Sequence, residues 1–330
     1  MAAEFGEKNL TIAILPEMEP LVRGQFPLAN TIVLPIFKKR VFLNVFVANC
    51  FRCFVPFLKL LGTRVDVSIS LRHMRGYLQN FLFCSVPASR RIMADNLLLG
   101  NGRPVRRWTE HLLEYLFSVE CIEYPHARVD VPSELEANRL VISAALRRNV
   151  DIREIWPELK PTGIFPIASP YFVCAPFSSD VCKDFPEDRW VEFFVLLHRK
   201  NRLPHLVLTG STDQRDRLES FLEMIAKSLP GEEIPLSVVV APDLQSYVDL
   251  LAAAECVFTV DTAAAHAAAA LDRRALILLS GLHQGMFAPW RRSERQHWVL
   301  PGEMRAGIAW YAENSSSVLM AAFEKITAVS

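Results

Sequence analysis

Short apolar runs alternate with longer amphipathic segments along most of this chain. In the first half, the runs Leu10–Leu15, Thr31–Pro35 and Val65–Leu71 predict short buried β-strands. Segments with helical periodicity lie between and after these strands, at about 43–61, 74–83 and 133–148. Strands that alternate with helices in this way predict a parallel sheet with helices on both faces.

The alternation is more regular in the second half. The predicted strands are Tyr171–Pro176, His205–Thr209, Ser237–Ala241, Cys256–Val260 and Ala275–Leu279. The predicted helices are Asp188–Lys200, Asp213–Ser228, Leu244–Ala254, Ala263–Leu271 and Ser316–Thr327. This order is typical of a doubly wound α/β domain, in which ligands bind at the carboxyl ends of the strands.

A proline-rich segment separates the two halves. Asp151–Pro170 contains four prolines, and the periodicity fades there, so we interpret the segment as the connection between domains. The length of 330 residues also favours two domains. We therefore predict one domain over residues 1–155 and a second over residues 156–330.

The balance of residue types excludes disordered and fibrous proteins, since 51% of the residues are apolar and 22% are charged. The net charge is zero, but residues 38–107 contain 13 basic side chains and only two acidic ones. This excess indicates either an ordinary solvated face or a surface for an acidic acceptor or an anionic membrane leaflet. Nucleic acid is not an expected partner, because no nucleic-acid-binding module accompanies the charge.

The cysteines and one apolar run bear on the cellular compartment. Cys50 and Cys53 form a single C-x-x-C pair without a second pair at zinc-ligand spacing, so buried thiols are expected. Seven cysteines without a signal peptide predict a cytoplasmic protein. Val41–Gly62 is apolar but contains Arg52 and Lys59, which argue against a membrane-spanning helix. A buried helix and a helix lying on a membrane surface both remain open.

Polar side chains follow three predicted strands of the second half. Ser178, Ser179 and Lys183 follow the first, where hydroxyls and an ammonium group are suited to phosphate oxygens. Gln214 follows the second strand and is a candidate for a ribose or a base. For the first group taken alone an ordinary polar loop is the favoured alternative, and for the second it is a helix cap by Thr212 or Asp213.

The third group is the most informative. Asp261 and Thr262 stand between a buried strand and an alanine-rich helix, and His266 lies one turn into that helix. Small residues let a ligand approach the helix N-terminus, whose N–H groups favour phosphate. Asp261 is then a candidate for sugar hydroxyls and Thr262 for phosphate, whereas a lone histidine is often a core or capping residue.

Together these residues resemble the donor half of glycosyltransferase family 9, the bacterial lipopolysaccharide heptosyltransferases. The family pattern Thr/Ser-Thr/Ser-x-x-x-Lys-x-Trp-Pro-x-x-x-Trp is matched from Ser178 to Trp190. The pattern Asp-Thr/Ser-Gly-x-x-His-x-x-Ala-Ala-Leu is matched from Asp261 to Leu271. The resemblance implies the GT-B fold, with two Rossmann-like doubly wound domains facing across a cleft. It also implies an ADP-heptose co-substrate, with no metal and no resident cofactor.

The resemblance also implies roles for single residues. Ser178, Ser179 and Lys183 would bind the diphosphate and the neighbouring sugar, and Gln214 stands where the family has a glutamate for the ribose. The donor-site residues implied are Ser178, Ser179, Lys183, Gln214, Asp261, Thr262 and His266. The chain departs from the family pattern at Ala263, which replaces a glycine, at Phe185, which replaces a tryptophan, and at Gly281–Gln284. These departures leave open whether the donor is a different one or the same donor bound more weakly.

The first half resembles the family less, and its catalytic base is uncertain from sequence. The family's opening strand ends in a Gly-Asp pair that supplies the catalytic aspartate, and no such pair occurs here. Either that strand is missing, which we favour, or Leu10–Leu15 is that strand and Glu17 or Glu19 replaces the aspartate. The cluster Arg72, His73 and Arg75 is a candidate for binding an acidic acceptor, with ordinary surface charge as the alternative.

The sequence therefore predicts an inverting, metal-independent transferase that moves a heptose-like sugar from an ADP-sugar to an acidic or lipid-linked glycan acceptor. The expected location is the cytoplasm, with peripheral contact to the inner membrane as an option. The alternative is a relative without catalytic activity that binds sugar nucleotides or acts as a partner subunit, because the usual base is not found.

Overall fold

The computed structural model divides the chain into two compact units. The first contains Met1–Trp156 with Gly285–Phe287, and the second contains Pro157–Gln284 with Ala288–Ser330. The structure describes residues 2–34, 54–71, 77–94, 112, 114–123, 133–163, 165–167, 170–229, 234–281, 285–286, 289–290, 293–300 and 314–328.

The first unit contains two parallel sheets. Strands β1 (Thr11–Ile14) and β2 (Asn30–Val33) form one sheet, and β3 (Val65–Ser70), β4 (Ala88–Ala94) and β5 (Val119–Ile122) form the other in the order β3-β4-β5. The helices are α1 (Ala2–Phe5), α2 (Glu19–Gln25), α3 (54–62), α4 (Tyr77–Ser85), α5 (residues 112 and 114–116) and α6 (Ser133–Leu146).

Two apolar clusters hold the described part of this unit together. Ile92 and Ala94 of β4 pack against Val141 and other small residues of α6 on one side of the sheet. Because side chains alternate along a strand, Arg91 faces the other side. A separate cluster joins β2, α3 and α4 through Ile32, Leu60 and Leu82.

The second unit is one parallel sheet of six strands in the order β11-β10-β9-β6-β7-β8. The strands are β6 (Tyr171–Ala175), β7 (His205–Thr209), β8 (Leu236–Val239), β9 (Cys256–Val260), β10 (Ala275–Leu278) and β11 (Gln296–Val299). The helices are α7 (Glu187–Arg199), α8 (Arg215–Ser228), α9 (Leu244–Ala253), α10 (Ala263–Ala270) and α11 (Ser316–Ala328). The order reverses between β6 and β9, which is the topological switch point of a doubly wound sheet.

Aromatic side chains fill one side of this sheet. Phe258 of β9 contacts Phe172, Phe193, Phe194 and Phe323, with ring centroids 5.3–5.9 Å apart. All five rings are buried. Because α7 and α11 each contribute rings to this cluster, they are fixed against the same strands that end at the switch point.

The sequence predicted the strands β1, β2 and β3 and the strands β6 to β10 to within a few residues. It missed β4, β5 and β11, which carry charged or polar side chains within the strand. In β4 the charge of Arg90 is compensated, because its guanidinium donates to both Glu120 carboxylate oxygens at 2.8 Å. None of the helices within the described residues is long and apolar enough to cross a membrane.

The described residues include three buried thiols. They belong to Cys84, Cys174 and Cys256. Burial raises the pKa of the Cys174 and Cys256 thiols, so both stay neutral and unreactive. Cys50 and Cys53 lie outside the described residues.

Candidate functional site

The candidate site lies at the carboxyl ends of β6 and β9. These strands are hydrogen-bonded neighbours in parallel register, with Ala175 opposite Thr259. The loop after β6 carries Ser178 and Lys183, and the loop after β9 carries Asp261 and Thr262. The switch point thus brings together two of the three groups of polar residues that the sequence identified.

The loop after β6 is held by hydrogen bonds of its own. The backbone N–H of Ser178 donates to Asp184 Oδ1 at 2.6 Å, and Ser178 Oγ accepts from the N–H of Asp180 at 3.2 Å. Asp180 in turn accepts from the N–H of Cys182 at 3.1 Å. Lys183, the next residue, therefore extends its side chain from a loop whose backbone is held in place.

Gln214 belongs to the same network. Its Nε2 donates to the backbone oxygen of Ser178 at 3.1 Å, and its Oε1 accepts from the N–H of Ser211 at 3.0 Å. Gly210 allows this approach, because a Cβ there would lie 2.5 Å from Gln214 Oε1. Gln214 thereby joins the ends of β6 and β7, which the sequence did not reveal.

The central contact of the site is an ion pair between Lys183 and Asp261. Lys183 Nζ lies 2.8 Å from Asp261 Oδ2, and the two side chains are only 14% and 8% exposed. Two charges with so little access to water lose much of their hydration energy. This loss is offset only when the charges are paired. The lysine and the carboxylate therefore neutralise one another.

Thr262 begins the alanine-rich helix beside this pair. Its backbone is extended, and its hydroxyl accepts from the N–H of Ala264 at 3.2 Å, which makes it the N-cap of α10. The Thr259 hydroxyl lies 3.0 Å from the Thr262 hydroxyl. It also donates to the backbone oxygen of Ala175 on the neighbouring strand β6. Ala263, the position of the family glycine, is exposed at the helix start.

His266 faces Asp261 from the first turn of α10. Trp290 Nε1 lies 3.1 Å from His266 Nδ1, and since an indole nitrogen only donates, Nδ1 is the acceptor. The proton of the neutral ring is then on Nε2, which lies 3.9 Å from Asp261 Oδ1. Trp290, which is buried, is a site residue that the sequence analysis missed.

A second missed residue is Arg217. Its guanidinium lies 3.6 Å from the centroid of the Phe177 ring and donates to Asp184 at 2.6 Å and to Glu187 at 2.9 Å. Burial opposes the charged form, but the hydrogen bonds to Asp184 and Glu187 outweigh it, and the pKa of Arg217 is raised. Arg217 therefore fixes Asp184, the residue that anchors Ser178.

The departure from the family pattern at Phe185 lies in the core. Phe185 is 1% exposed, and its ring meets that of Trp190 edge-on with centroids 5.3 Å apart. The change from tryptophan thus affects the packing beneath the loop rather than a surface that a ligand would touch.

The structure brings six of the predicted donor residues into contact or into adjoining loops. They are Ser178, Lys183, Gln214, Asp261, Thr262 and His266. Ser179 is exposed on the same loop. Among the described residues, no three His, Cys, Asp or Glu side chains are grouped as metal ligands would be.

The other predicted residues belong to the first unit. Glu17 is exposed in the turn after β1, and Glu19 starts α2 with its carboxylate 2.8 Å from Arg23. Arg72, His73 and Arg75 lie outside the described residues. So do residues 282–284 of the departure near Gly281.

Comparison with known proteins gives a family match that spans the site. The model of glycosyltransferase family 9 (heptosyltransferase) matches residues 123–306, which is more than half of the chain and includes the whole site. A search of curated proteins gave no significant match.

Solved structures of this family share the fold. The E. coli heptosyltransferase WaaC with ADP is 16% identical, with a TM-score of 0.65 over 96% of this chain and 100% of that one. E. coli ADP-heptose lipopolysaccharide heptosyltransferase II is 14% identical, with a TM-score of 0.65 over 96% and 88%. A family 9 glycosyltransferase from Veillonella parvula is 11% identical, with a TM-score of 0.69 over 97% and 88%.

These structures assign the GT-B fold, and the family model covers the loops that form the switch-point site. The chain belongs to glycosyltransferase family 9, the heptosyltransferase family.

Proposed function

We propose that this protein is an inverting, metal-independent glycosyltransferase that moves a heptose-like sugar from an ADP-sugar to an acidic glycan acceptor of the lipopolysaccharide core type. The observation that supports it most is the buried Lys183–Asp261 pair beside the N-terminus of α10. That arrangement supplies a cation and helix N–H groups for a diphosphate, together with a carboxylate for sugar hydroxyls.

In this proposal the donor replaces the ion pair. Lys183, Thr262 and the α10 N-terminus hold the diphosphate, with Ser178 and Ser179 beside it. Asp261 accepts from the sugar hydroxyls, and His266, with its proton on Nε2, donates to the same part of the donor. Lys183 then exchanges Asp261 for the diphosphate, and Asp261 exchanges Lys183 for the sugar hydroxyls. Both buried charges therefore keep a partner.

The chemistry needs a base and a stabilised leaving group. A carboxylate takes the proton from the acceptor hydroxyl. The oxygen of that hydroxyl attacks the anomeric carbon from the face opposite the ADP. The bond from that carbon to the diphosphate breaks, and Lys183 and the helix N–H groups stabilise the developing charge. We assign the base to Glu17 or Glu19, which directly follow β1.

A second function from another class remains a defined alternative. A relative that binds the sugar nucleotide without transferring it needs the switch-point site but no base. The absence of the family's Gly-Asp pair favours this alternative, and the two are separated by measuring transfer beside binding.

The first prediction concerns the nucleotide. We expect ADP to bind more tightly than UDP or GDP in calorimetry, and EDTA to leave ADP binding unchanged, because the site offers no grouped acidic ligands among the described residues. Equal affinity for the three nucleotides, or binding lost in EDTA, would contradict the proposed donor.

The second prediction separates the two members of the ion pair. Lys183→Met should weaken ADP by about 1–3 kcal/mol, the range for a hydrogen bond to a charged group. Asp261→Asn should tighten ADP about fivefold or more, or about 1 kcal/mol, because it frees Lys183 and removes a negative charge.

The same variants are compared with an intact ADP-sugar. For the intact ADP-sugar, Asp261→Asn should not show the higher affinity that it shows for ADP, since the amide is a poorer partner for sugar hydroxyls. Arg189→Met, an exposed cation on α7, is the matched control and should bind like the parent. If Lys183→Met binds ADP as the parent does, the assignment of the diphosphate site is wrong.

The third prediction concerns Gln214. Since both ends of its amide are bonded within the protein, we expect it to position the Ser178 loop rather than to read the ribose. Gln214→Leu should then weaken ADP and 2′-deoxy-ADP by the same factor. A loss with ADP that disappears with 2′-deoxy-ADP would instead show a direct bond to the ribose hydroxyl.

The fourth prediction concerns the base. If Glu17 or Glu19 removes the acceptor proton, one of the variants Glu17→Gln and Glu19→Gln should lower kcat by about 10²-fold or more. ADP affinity should stay unchanged, because in this proposal the base acts on the acceptor hydroxyl and not on the nucleotide. Glu4→Gln, an exposed glutamate of the same unit, is the control. Transfer that survives in both variants would exclude these carboxylates.

A further inference from the structure

Trp290 reaches the candidate site from outside the two loops that form it. The residue is 6% exposed, and its ring packs against Ala269 and Ala270 of α10. The small side chains of these alanines leave room for an indole directly beside the helix. Trp290 is therefore held by the same helix that carries His266, and the two rings are fixed relative to each other.

The hydrogen bond between the two rings has one possible direction. Trp290 Nε1 lies 3.1 Å from His266 Nδ1, and an indole nitrogen can only donate. A neutral imidazole in this position carries its proton on Nε2. A second proton would have to enter at Nδ1, where it would face the indole N–H. Two donors would then point at each other, and the buried indole N–H would lose its acceptor, which is costly. This contact therefore opposes the charged imidazolium.

The charge on His266 matters because of the groups beside it. Its Nε2 lies 3.9 Å from Asp261 Oδ1, while Asp261 Oδ2 lies 2.8 Å from Lys183 Nζ. Among the described residues, these two are the charged groups that face the ring. The remainder of α10 is alanine, and Trp298 of β11, with its ring centroid 6.4 Å away, is neutral. Asp261 favours a second cation here and Lys183 opposes one, so the bond from Trp290 adds to the effect of the lysine.

We propose that Trp290 is a positioning residue that keeps His266 neutral, with its proton on Nε2. Lys183 then stays the partner of Asp261, and His266 offers the donor a hydrogen bond without a charge. The positive charge that meets the diphosphate is therefore independent of pH near neutrality. This consequence for ligand binding rests on the function proposed above, whereas the state of the ring does not.

The state of the ring is tested by NMR of protein with isotope-labelled histidine, which distinguishes protonated from unprotonated ring nitrogens. Since the chain has eight histidines, His266→Asn identifies the signals of His266. In the parent the proton should be on Nε2, and the ring should stay neutral down to about pH 6, below the ordinary midpoint for histidine.

Two variants separate the hydrogen bond from packing. Trp290→Phe keeps an aromatic ring but removes the donor, and should raise the pH midpoint of His266 protonation by about one pH unit or more. Trp298→Phe is the matched control, because Trp298 contacts the same imidazole and its indole nitrogen has no hydrogen-bond partner among the described residues. This control should titrate like the parent.

The second measurement is calorimetry with ADP-glucose, which has no terminal phosphate that titrates near neutral pH. Between about pH 8 and pH 6, the affinity of the parent should change by no more than about twofold. Trp290→Phe should bind about fivefold more tightly, or better, at the lower pH, because an imidazolium adds a cation beside the diphosphate. The double variant Trp290→Phe/His266→Asn should lose this dependence.

Three results would overturn the proposal. One is a parent protein with the proton on Nδ1 or with a charged ring at neutral pH, which its own spectrum shows whether or not a variant folds. Another is a Trp290→Phe protein, folded by thermal unfolding, in which His266 titrates as in the parent. The third is an unchanged pH dependence of ADP-glucose binding in that variant. If the ring behaves as expected but the parent binds neither ADP nor ADP-glucose, the proposed function fails and the assignment of Trp290 stands.

Discussion

The ion pair between Lys183 and Asp261 is the contact on which the rest of the site depends. The two residues are 78 positions apart, and they meet because β6 and β9 are neighbours where the strand order reverses. A lysine and a carboxylate with so little exposure require each other. The donor proposed for this site has parts that match both members of the pair, a diphosphate for the lysine and sugar hydroxyls for the carboxylate.

The structure beneath the pair makes it rigid. On one side, the Phe258 ring cluster holds β9, α7 and α11 together, so both loops start from fixed strand ends. In the loop after β6, Arg217 lies against the Phe177 ring and binds Asp184, which accepts from the Ser178 N–H. Polar networks of this kind are stable when every member is bonded, and they keep Lys183 in one place.

The central strands and the residues of the switch point could be predicted because buried parallel strands are continuous apolar runs with polar residues at their ends. The strand β11 could not, since Gln296 is polar by type but 1% exposed, with its amide donating to Asp272 and to the Arg273 oxygen. For the same reason Trp290 and Arg217 were missed. Their roles come from contacts with His266 and Asp184, and no local pattern in the sequence encodes such contacts.

The pair also bears on how the site distinguishes donor from product. Lys183 and Asp261 are paired with each other in the structure. An intact sugar nucleotide would offer phosphate to the lysine and hydroxyls to the carboxylate, so both buried charges keep a partner. ADP alone would occupy Lys183 and leave Asp261 without its cation, beside further negative charge. Because an unpaired buried carboxylate is costly, re-forming the ion pair would, under the proposed function, favour departure of ADP. The same two residues would then hold the donor and promote release of the nucleotide after transfer.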